Sequence, residues 1–379
     1  MALEEHRFPC TNCGSDLRFE PGTEQLQCDH CGNTEAIQDG IDWTGGALNE
    51  MDFRTALRNA LPAAEIEETR VLQCPNCAAQ VEFNANEHSA ECPFCATPVV
   101  TDTGTHRHIK PRGLLAFGLK EPEARNAMNR WLGRLWFAPN GLKEYARAGR
   151  KMQGIYVPYW TFDADTKTQY RGKRGTVYYE TRTRRVTRNG KTTTEQVRVQ
   201  KVRWRSVSGR VARFFDDVLV LASASLPKRY TDALGPWDLS GLVPYKPEFL
   251  AGFRAEGYSV ELEDGYGEAK THMDRMIVRD VKFDIGGDRQ QIDGLSTDVS
   301  GITFKHILLP IWVAAYKYRG KTYRFVVNGR TGVVQGERPY STMKIVLAVI
   351  AGLLIAGAIG YVIAVNQENI AISIQQQQF

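Results

Sequence analysis

The chain has 379 residues, 42% apolar and 24% charged, with a formal charge of +5. That composition excludes a chain disordered throughout, and the length allows two or three domains. The net charge is too small to name a partner until its placement along the chain is known.

From the N-terminus, all eight cysteines fall into Cys-x-x-Cys pairs: Cys10 with Cys13, Cys28 with Cys31, Cys74 with Cys77, and Cys92 with Cys95. The opening Met-Ala-Leu-Glu-Glu-His lacks a basic segment followed by an apolar run, so no export signal is read there and the thiols are expected to stay reduced. Each half of the set reads Cys-x2-Cys-x14-Cys-x2-Cys, and a shift of 64 residues lays the second on the first, with Leu17 on Val81 and Phe19 on Phe83. This is an internal duplication.

A Cys-x-x-Cys turn presents two thiolates from one knuckle, and two knuckles joined by a hairpin complete a tetrahedral site with Zn–S distances of about 2.3 Å. Two rubredoxin-like zinc ribbons are therefore predicted, over 1–40 and 71–101, each holding one structural Zn2+. Disulfides conflict with the expected compartment, and a thioredoxin-like motif needs a βαβ context. An iron–sulfur centre stays open as the alternative, because ligand softness does not exclude iron from four thiolates. Four thiolates close the coordination sphere, so the expected role of the metal is to fold a small segment and not to activate water.

Between the ribbons, over 41–70, Phe53, Ala56, Leu57, Ala60 and Leu61 keep helical spacing, with Asn49 as a cap and Pro62 as a stop. A helical linker is expected. Residues 102–340 read as one β-rich, antiparallel α+β domain. Within it Glu121 to Phe137 carries Ala124, Met128, Trp131, Leu132 and Leu135 on one helical face. Strands follow at YVPYWTFDA, on either side of Asn189-Gly190, and at HILLPIWVAAYKYRG, KTYRFVVNG and GVVQGE.

Arg171 to Arg213 contains 14 Lys or Arg against Glu180 and Glu195 alone, so the chain's positive charge is concentrated on one hairpin, 171–213. Its candidate anion-binding residues are Arg182, Arg184, Arg185, Arg188, Lys191, Arg198, Lys201, Arg203 and Arg205. An anionic lipid surface would contribute about 1 kcal/mol per basic residue close to the membrane, and an acidic protein is an equivalent counter-charge. Nucleic acid is the other polyanion, with Tyr178, Tyr179 and Trp204 available to stack on bases. A solvated hairpin without a ligand is the third reading.

No catalytic constellation emerges, and no enzyme activity is expected. Gly190-Lys191-Thr192 lacks the earlier glycine of a phosphate-binding loop, since that position is Arg185. Asp284-Ile285-Gly286-Gly287-Asp288 lacks the ligand spacing of a calcium loop and reads as a turn. His106, His108, His272 and His306 belong to no nucleophile or metal signature, and His306 lies in an apolar strand as a core histidine would.

Ile345 to Val365 is a run of 21 residues without a charge, which as a helix spans about 31 Å and matches a bilayer core. A transmembrane helix is predicted over 341–365, with 366–379 a short external tail. Arg330, Arg338 and Lys344 precede it, while the tail has no Lys or Arg, so the large N-terminal part is expected in the cytoplasm. Ala348, Gly352, Ala356, Gly360 and Ala364 form a small-residue stripe suited to a helical partner or to self-association.

Five stretches together carry a resemblance: CTNCGSDLRFEPGTEQLQCDHCG, CPNCAAQVEFNANEHSAECPFC, IYVPYWTFDADTKTQYRG, GRVARFFDDVLVLAS and FVVNGRTGVVQGERPYS. The chain resembles a bacterial family of single-span, zinc-ribbon membrane proteins, often labelled "primosomal protein N′ (replication factor Y), superfamily II helicase" or "transcription factor IIB-type zinc ribbon protein". A helicase needs a phosphate-binding loop and its acidic partner motif. This chain has neither, so helicase activity is not expected. Relatives in the family are encoded beside an SPFH-domain (flotillin-like) protein and a phage-shock-protein-A homologue. The resemblance therefore implies a scaffold in envelope stress at the bacterial inner membrane. The eight cysteines match the family pattern, with Ala78 and Ala96 where relatives often have glycine. The expectation is a membrane-anchored zinc-binding adaptor that recruits such cytoplasmic partners; the alternative is a membrane-tethered nucleic-acid-binding protein.

Overall fold

The computed structural model describes residues 8–37, 48–58, 61–62, 65–74, 80–82, 89–92, 94, 98–100, 105–139, 152–188, 191–318, 321–337 and 340–376. Cys77, Cys95, Phe83 and the Asn189-Gly190 turn lie outside them.

The first cysteine unit is a three-stranded antiparallel sheet of β1 (Leu17–Phe19), β2 (Gln25–Cys28) and β3 (Thr34–Ala36). Leu17 and Phe19, alternate residues of β1, are buried with Arg18 exposed between them, as the period of a strand requires. In the second unit β5 (Ile66–Gln73) pairs with β6 (Gln80–Glu82) and with β9 (Thr105–Ile109), and β7 (Ser89–Glu91) pairs with β8 (Pro98–Val100).

Among the described residues of the 41–70 stretch, where a helical linker is expected, α-helix is confined to Phe53–Leu57. Met51–Asp52 form a short strand, β4, on the edge of the main sheet, and α1 covers only Phe53–Leu57. Asp52, not Asn49, caps α1, its carboxylate accepting the Thr55 amide at 2.7 Å. Phe53 and Ala56 are buried, and Phe53 meets Phe162 edge-on, so this stretch belongs to the main domain.

The main sheet has nine strands among the described residues. Its spine is β11 (Gln153–Arg188), flanked antiparallel by β12 (Lys191–Leu221) and by β15 (Arg289–Tyr318). The sheet is completed by β10 (Gly113–Leu114), β13 (Val243–Pro244), β14 (Arg254–Ala255), β16 (Lys321–Asn328) and β17 (Val334–Gly336).

Near the start of β11 both faces are buried. Tyr156, with Leu308 and Trp312, packs against Leu17, Phe19 and α2 (Glu121–Gly133). Ile155 and Val157, with Ile307 and Leu309, pack against Cys74, Cys92 and Phe94. The two cysteine units thus sit on opposite faces of one sheet. Burial on both faces explains why YVPYWTF reads as a continuous apolar run rather than an alternating one.

Further along, the three long strands leave this core and are covered on one face by a helix the sequence reading missed. After the one-turn α3 (Lys228–Thr231), helix α4 (Leu262–Ile285) buries Leu262, Ala269, Met273, Ile277, Val281 and Ile285 against the strands. Gly265 lets α4 approach closely, since a Cβ there would stand 2.6 Å from the Trp160 ring. Asp284 and Ile285 end α4, and Gly286 and Gly287, at φ 65° and 75°, lead the chain on into β15.

The C-terminal helix, α5, runs Thr342–Gln376 and so continues past the expected end at residue 365. Its segment Thr342–Ile363 is long and apolar enough to cross a membrane, and none of its apolar window is buried against the protein.

Candidate metal centre and charged ribbon

The two knuckles of the first unit bring four sulfurs together. Cys10 and Cys31 Sγ are 3.6 Å apart, Cys13 and Cys28 Sγ 3.5 Å apart, and all four lie within 4.8 Å of one another. A tetrahedron of sulfurs at about 2.3 Å from a central ion has edges of about 3.8 Å, so the donor set fits one metal ion. Gly14 and Gly32, at φ 75° and 76°, close the knuckles in a conformation that favours glycine. Their amides donate to the carbonyls of Cys10 and Cys28, each at 2.9 Å.

Three of the four thiols sit where the thiolate is favoured. Against desolvation, which raises it, the amides of Asn12 and Cys13 hold the Cys10 thiol below its usual value. Ser15 does the same for Cys13 and Asn33 for Cys31. The amide of Cys31 lowers the Cys28 thiol, yet burial and the neighbouring Cys13 and Cys31 thiols push it up to about 11. Asn33 Nδ2 also donates to Cys10 Sγ at 3.6 Å and to Glu35 at 3.2 Å.

The second unit is described by half. Cys74 and Cys92 are each only 2% exposed, beside Phe94 at 0%; their partners Cys77 and Cys95 lie outside the described residues.

The basic hairpin is a projecting arm. The third strand ends where Arg289 pairs with Gly175, so beyond that point β11 and β12 continue alone, from Thr176 to Arg188 and back to Arg203. These 13 residue pairs extend about 43 Å at about 3.3 Å per residue. Register sorts the side chains by face. Arg182, Arg184, Lys201 and Arg203 share one face with Tyr178, Glu180 and Glu195, while Arg185 and Arg198 share the other with Tyr179 and Trp204. Arg205, opposite Arg174, lies at the base of the first face. Glu180 accepts an ion pair from Arg182 at 3.0 Å and another from Lys201, and Arg203 lies over the Tyr178 ring at 5.3 Å. The second face has no acid and leaves Tyr179 63% and Trp204 44% exposed. Arg188 and Lys191 pair at the described end of the arm; their side chains lie outside the described residues.

A charged cluster absent from the sequence reading lies where the arm leaves the core. Lys305, 6% exposed, stands 2.9 Å from Glu50, 2.8 Å from Asp217 and 4.0 Å from Asp163. Register slips at Asp163/Asp165 and Phe162/Ala164 mark bulges on both sides of β11. Asp217 takes φ 50°, its amide donating to Asp163 Oδ1 at 2.6 Å. Burial and the neighbouring Glu50 push Asp163 up to about 7, and the hydrogen bond with Asp163 draws Glu50 down to about 2. The two carboxyls therefore titrate as a coupled pair, with the higher step falling near neutrality.

The chain is similar to the uncharacterized protein YdjG of Bacillus subtilis (strain 168). The identity is 24% over 339 residues, 89% of this chain and 91% of that relative. No family model matches the chain, and no solved structure does. The likeness runs nearly end to end in both chains, and the relative's name gives no activity to carry over.

The remaining sequence candidates are placed as follows. His306 is buried, its Nδ1 2.7 Å from the Ile109 carbonyl and its ring 5.0 Å from that of Trp160, a core position as expected. His272 is half-buried on α4, 3.8 Å from Glu268. Ala348, Gly352, Ala356 and Gly360 lie on the exposed part of α5, while the side chain of Ala364 lies outside the described residues.

Proposed function

We propose that the protein is a membrane-anchored, zinc-binding adaptor whose basic arm engages an anionic surface and whose body recruits cytoplasmic partners. The observation that carries this reading is a basic two-stranded arm projecting from a body whose chain continues into an apolar helix of spanning length. Zinc is the metal best suited to four closely spaced thiolates, one ion in each unit, and with no open coordination position its role is to hold each hairpin to the sheet. The charge asymmetry around α5 supports a single pass with the body on the cytoplasmic side of a bacterial inner membrane. SPFH-domain and phage-shock-protein-A-like proteins are the partners that the family resemblance suggests.

A membrane-tethered nucleic-acid-binding protein is the second reading. It is favoured by one feature, since a two-stranded β-ribbon fits the major groove of DNA and this one carries exposed Tyr179 and Trp204. A mild-detergent pull-down of the full-length protein, with and without nuclease, separates the two. Recovery of a flotillin-like or phage-shock-type protein regardless of nuclease supports the adaptor. Nuclease-sensitive recovery of replication or transcription proteins would replace it with the second reading.

A further inference from the structure

The end of α2 and the start of α5 meet in a way that neither the metal centre nor the arm explains. After α2, Leu135 and Ala138 are buried in the core, while Trp136 and Phe137 between them are 77% and 40% exposed. Two large aromatic side chains are thus presented outward from a backbone pinned on both sides. That backbone is bonded to the first turn of α5. The Ser341 amide donates to the Phe137 carbonyl at 2.8 Å, and Lys344 Nζ donates to the carbonyls of Ala138 at 2.8 Å and Trp136 at 3.3 Å. Tyr340 and Met343, 57% and 74% exposed, flank the same junction.

We propose that Trp136 and Phe137, with Tyr340, form an interfacial anchor that seats the body of the protein on the bilayer surface around the entry point of α5. The inference rests on α5 spanning the membrane. Its apolar segment begins at Thr342, so a loop hydrogen-bonded to Ser341 and Lys344 stands at headgroup depth. Trp and Tyr prefer that depth because an apolar ring and a polar N–H or O–H are both accommodated there. Lys344 would otherwise carry its charge toward the apolar region; here its ammonium is turned back to backbone carbonyls at the interface. The occupant of this aromatic surface is the lipid interface, which is continuous with the surface that surrounds α5. The body is consequently docked at a fixed tilt instead of swinging on a tether.

The test places the photo-crosslinking residue p-benzoylphenylalanine, one position at a time, at Trp136, Phe283 or Ile355 of the full-length protein in nanodiscs of anionic and zwitterionic phospholipid, with lipid adducts read by mass spectrometry. Ile355 lies mid-span, and Phe283, 90% exposed near the end of α4, reports on the body away from the junction. The expected result is lipid adducts at 136 and 355 with at least tenfold fewer at 283. Adducts at 355 without adducts at 136 would overturn the anchor and leave the spanning helix standing. No adducts at 355 would overturn the span and the anchor with it. Equal adducts at 136 and 283 would overturn a local anchor in favour of a body lying broadly on the membrane.

Discussion

Phe19, from the hairpin that carries the first four cysteines, meets Phe249 of the main domain edge to face, with ring centroids 5.2 Å apart. The backbone contacts agree: the Phe19 amide donates to the Ala251 carbonyl at 2.9 Å and the Gly22 amide to the Phe117 carbonyl at 2.8 Å. The four-cysteine hairpin therefore shares a core with the sheet and is not a bead on a string.

Phe19→Ala is accordingly expected to destabilise the whole domain, by about 3–5 kcal/mol for a buried aromatic, measured as the denaturant midpoint by circular dichroism. Cys28→Ser should lower bound zinc by one equivalent per chain, read by inductively coupled plasma mass spectrometry, and shift the same midpoint downward. If the midpoint were unmoved by loss of that metal, the hairpin would be an independent module.

The Lys305 cluster makes a prediction with a definite sign. Asp163 has its carboxyl raised from 3.8 to about 7, so the folded state binds a proton that the unfolded state has lost between those values. Its contribution is full below about pH 4 and declines as pH rises toward about 7, by at most about 1.4 kcal/mol per pH unit. Glu50, drawn down from 4.5 to about 2, works the other way and loses its contribution as pH falls through that window. Asp163→Asn should flatten the decline between pH 4 and 7 in thermal melts; an unchanged profile would mean that Asp163 is ionised throughout.

Removing the cation is the harsher change. Lys305→Met leaves Glu50 and Asp217, whose side chains are 33% and 24% exposed, without their cation, and a charged group left without its partner at such a site costs about 1–3 kcal/mol. Urea denaturation at pH 7 gives the value. Combining Lys305→Met with Asp217→Asn should recover part of the loss.

The two faces of the arm should differ in binding. Neutralising Arg185 and Arg198, which lie beside Tyr179 and Trp204 on the face without acids, should weaken co-sedimentation with phosphatidylglycerol vesicles about tenfold or more, at about 1 kcal/mol per charge. Neutralising Arg182 and Lys201, both already paired with Glu180, should cost less. Equal losses would mean that the arm acts by net charge alone.

Local chemistry made the first four-cysteine cluster and the apolar helix legible in the sequence, because cysteine spacing and an uncharged run are signals carried by neighbouring residues. The long strands were read only in pieces. Residues 289–303 of β15 are polar, since one face of that stretch meets solvent, and nothing local marks them as the continuation of HILLPIW. Helix α4 did leave a signal, with Ala269, Met273, Ile277, Val281 and Ile285 recurring every four residues, but Gly265 and Gly267 near its start read as breakers. The Lys305 cluster joins residues 50, 163, 217 and 305 across four segments, a meeting that only tertiary structure creates.

The bulges at Asp163 and Asp165, with Gly301 opposite at φ 60°, lie where all three long strands pass from the buried core into the open. From Thr166 to Arg188 the spine runs 23 residues, about 70 Å at about 3 Å of rise per twisted residue. Helix α4 spans the bulges, from Gly265 beside Trp160 to Ile285 beside Gly172, so the first part of that length is braced and bending is left to the two-stranded part from Thr176 to Arg188.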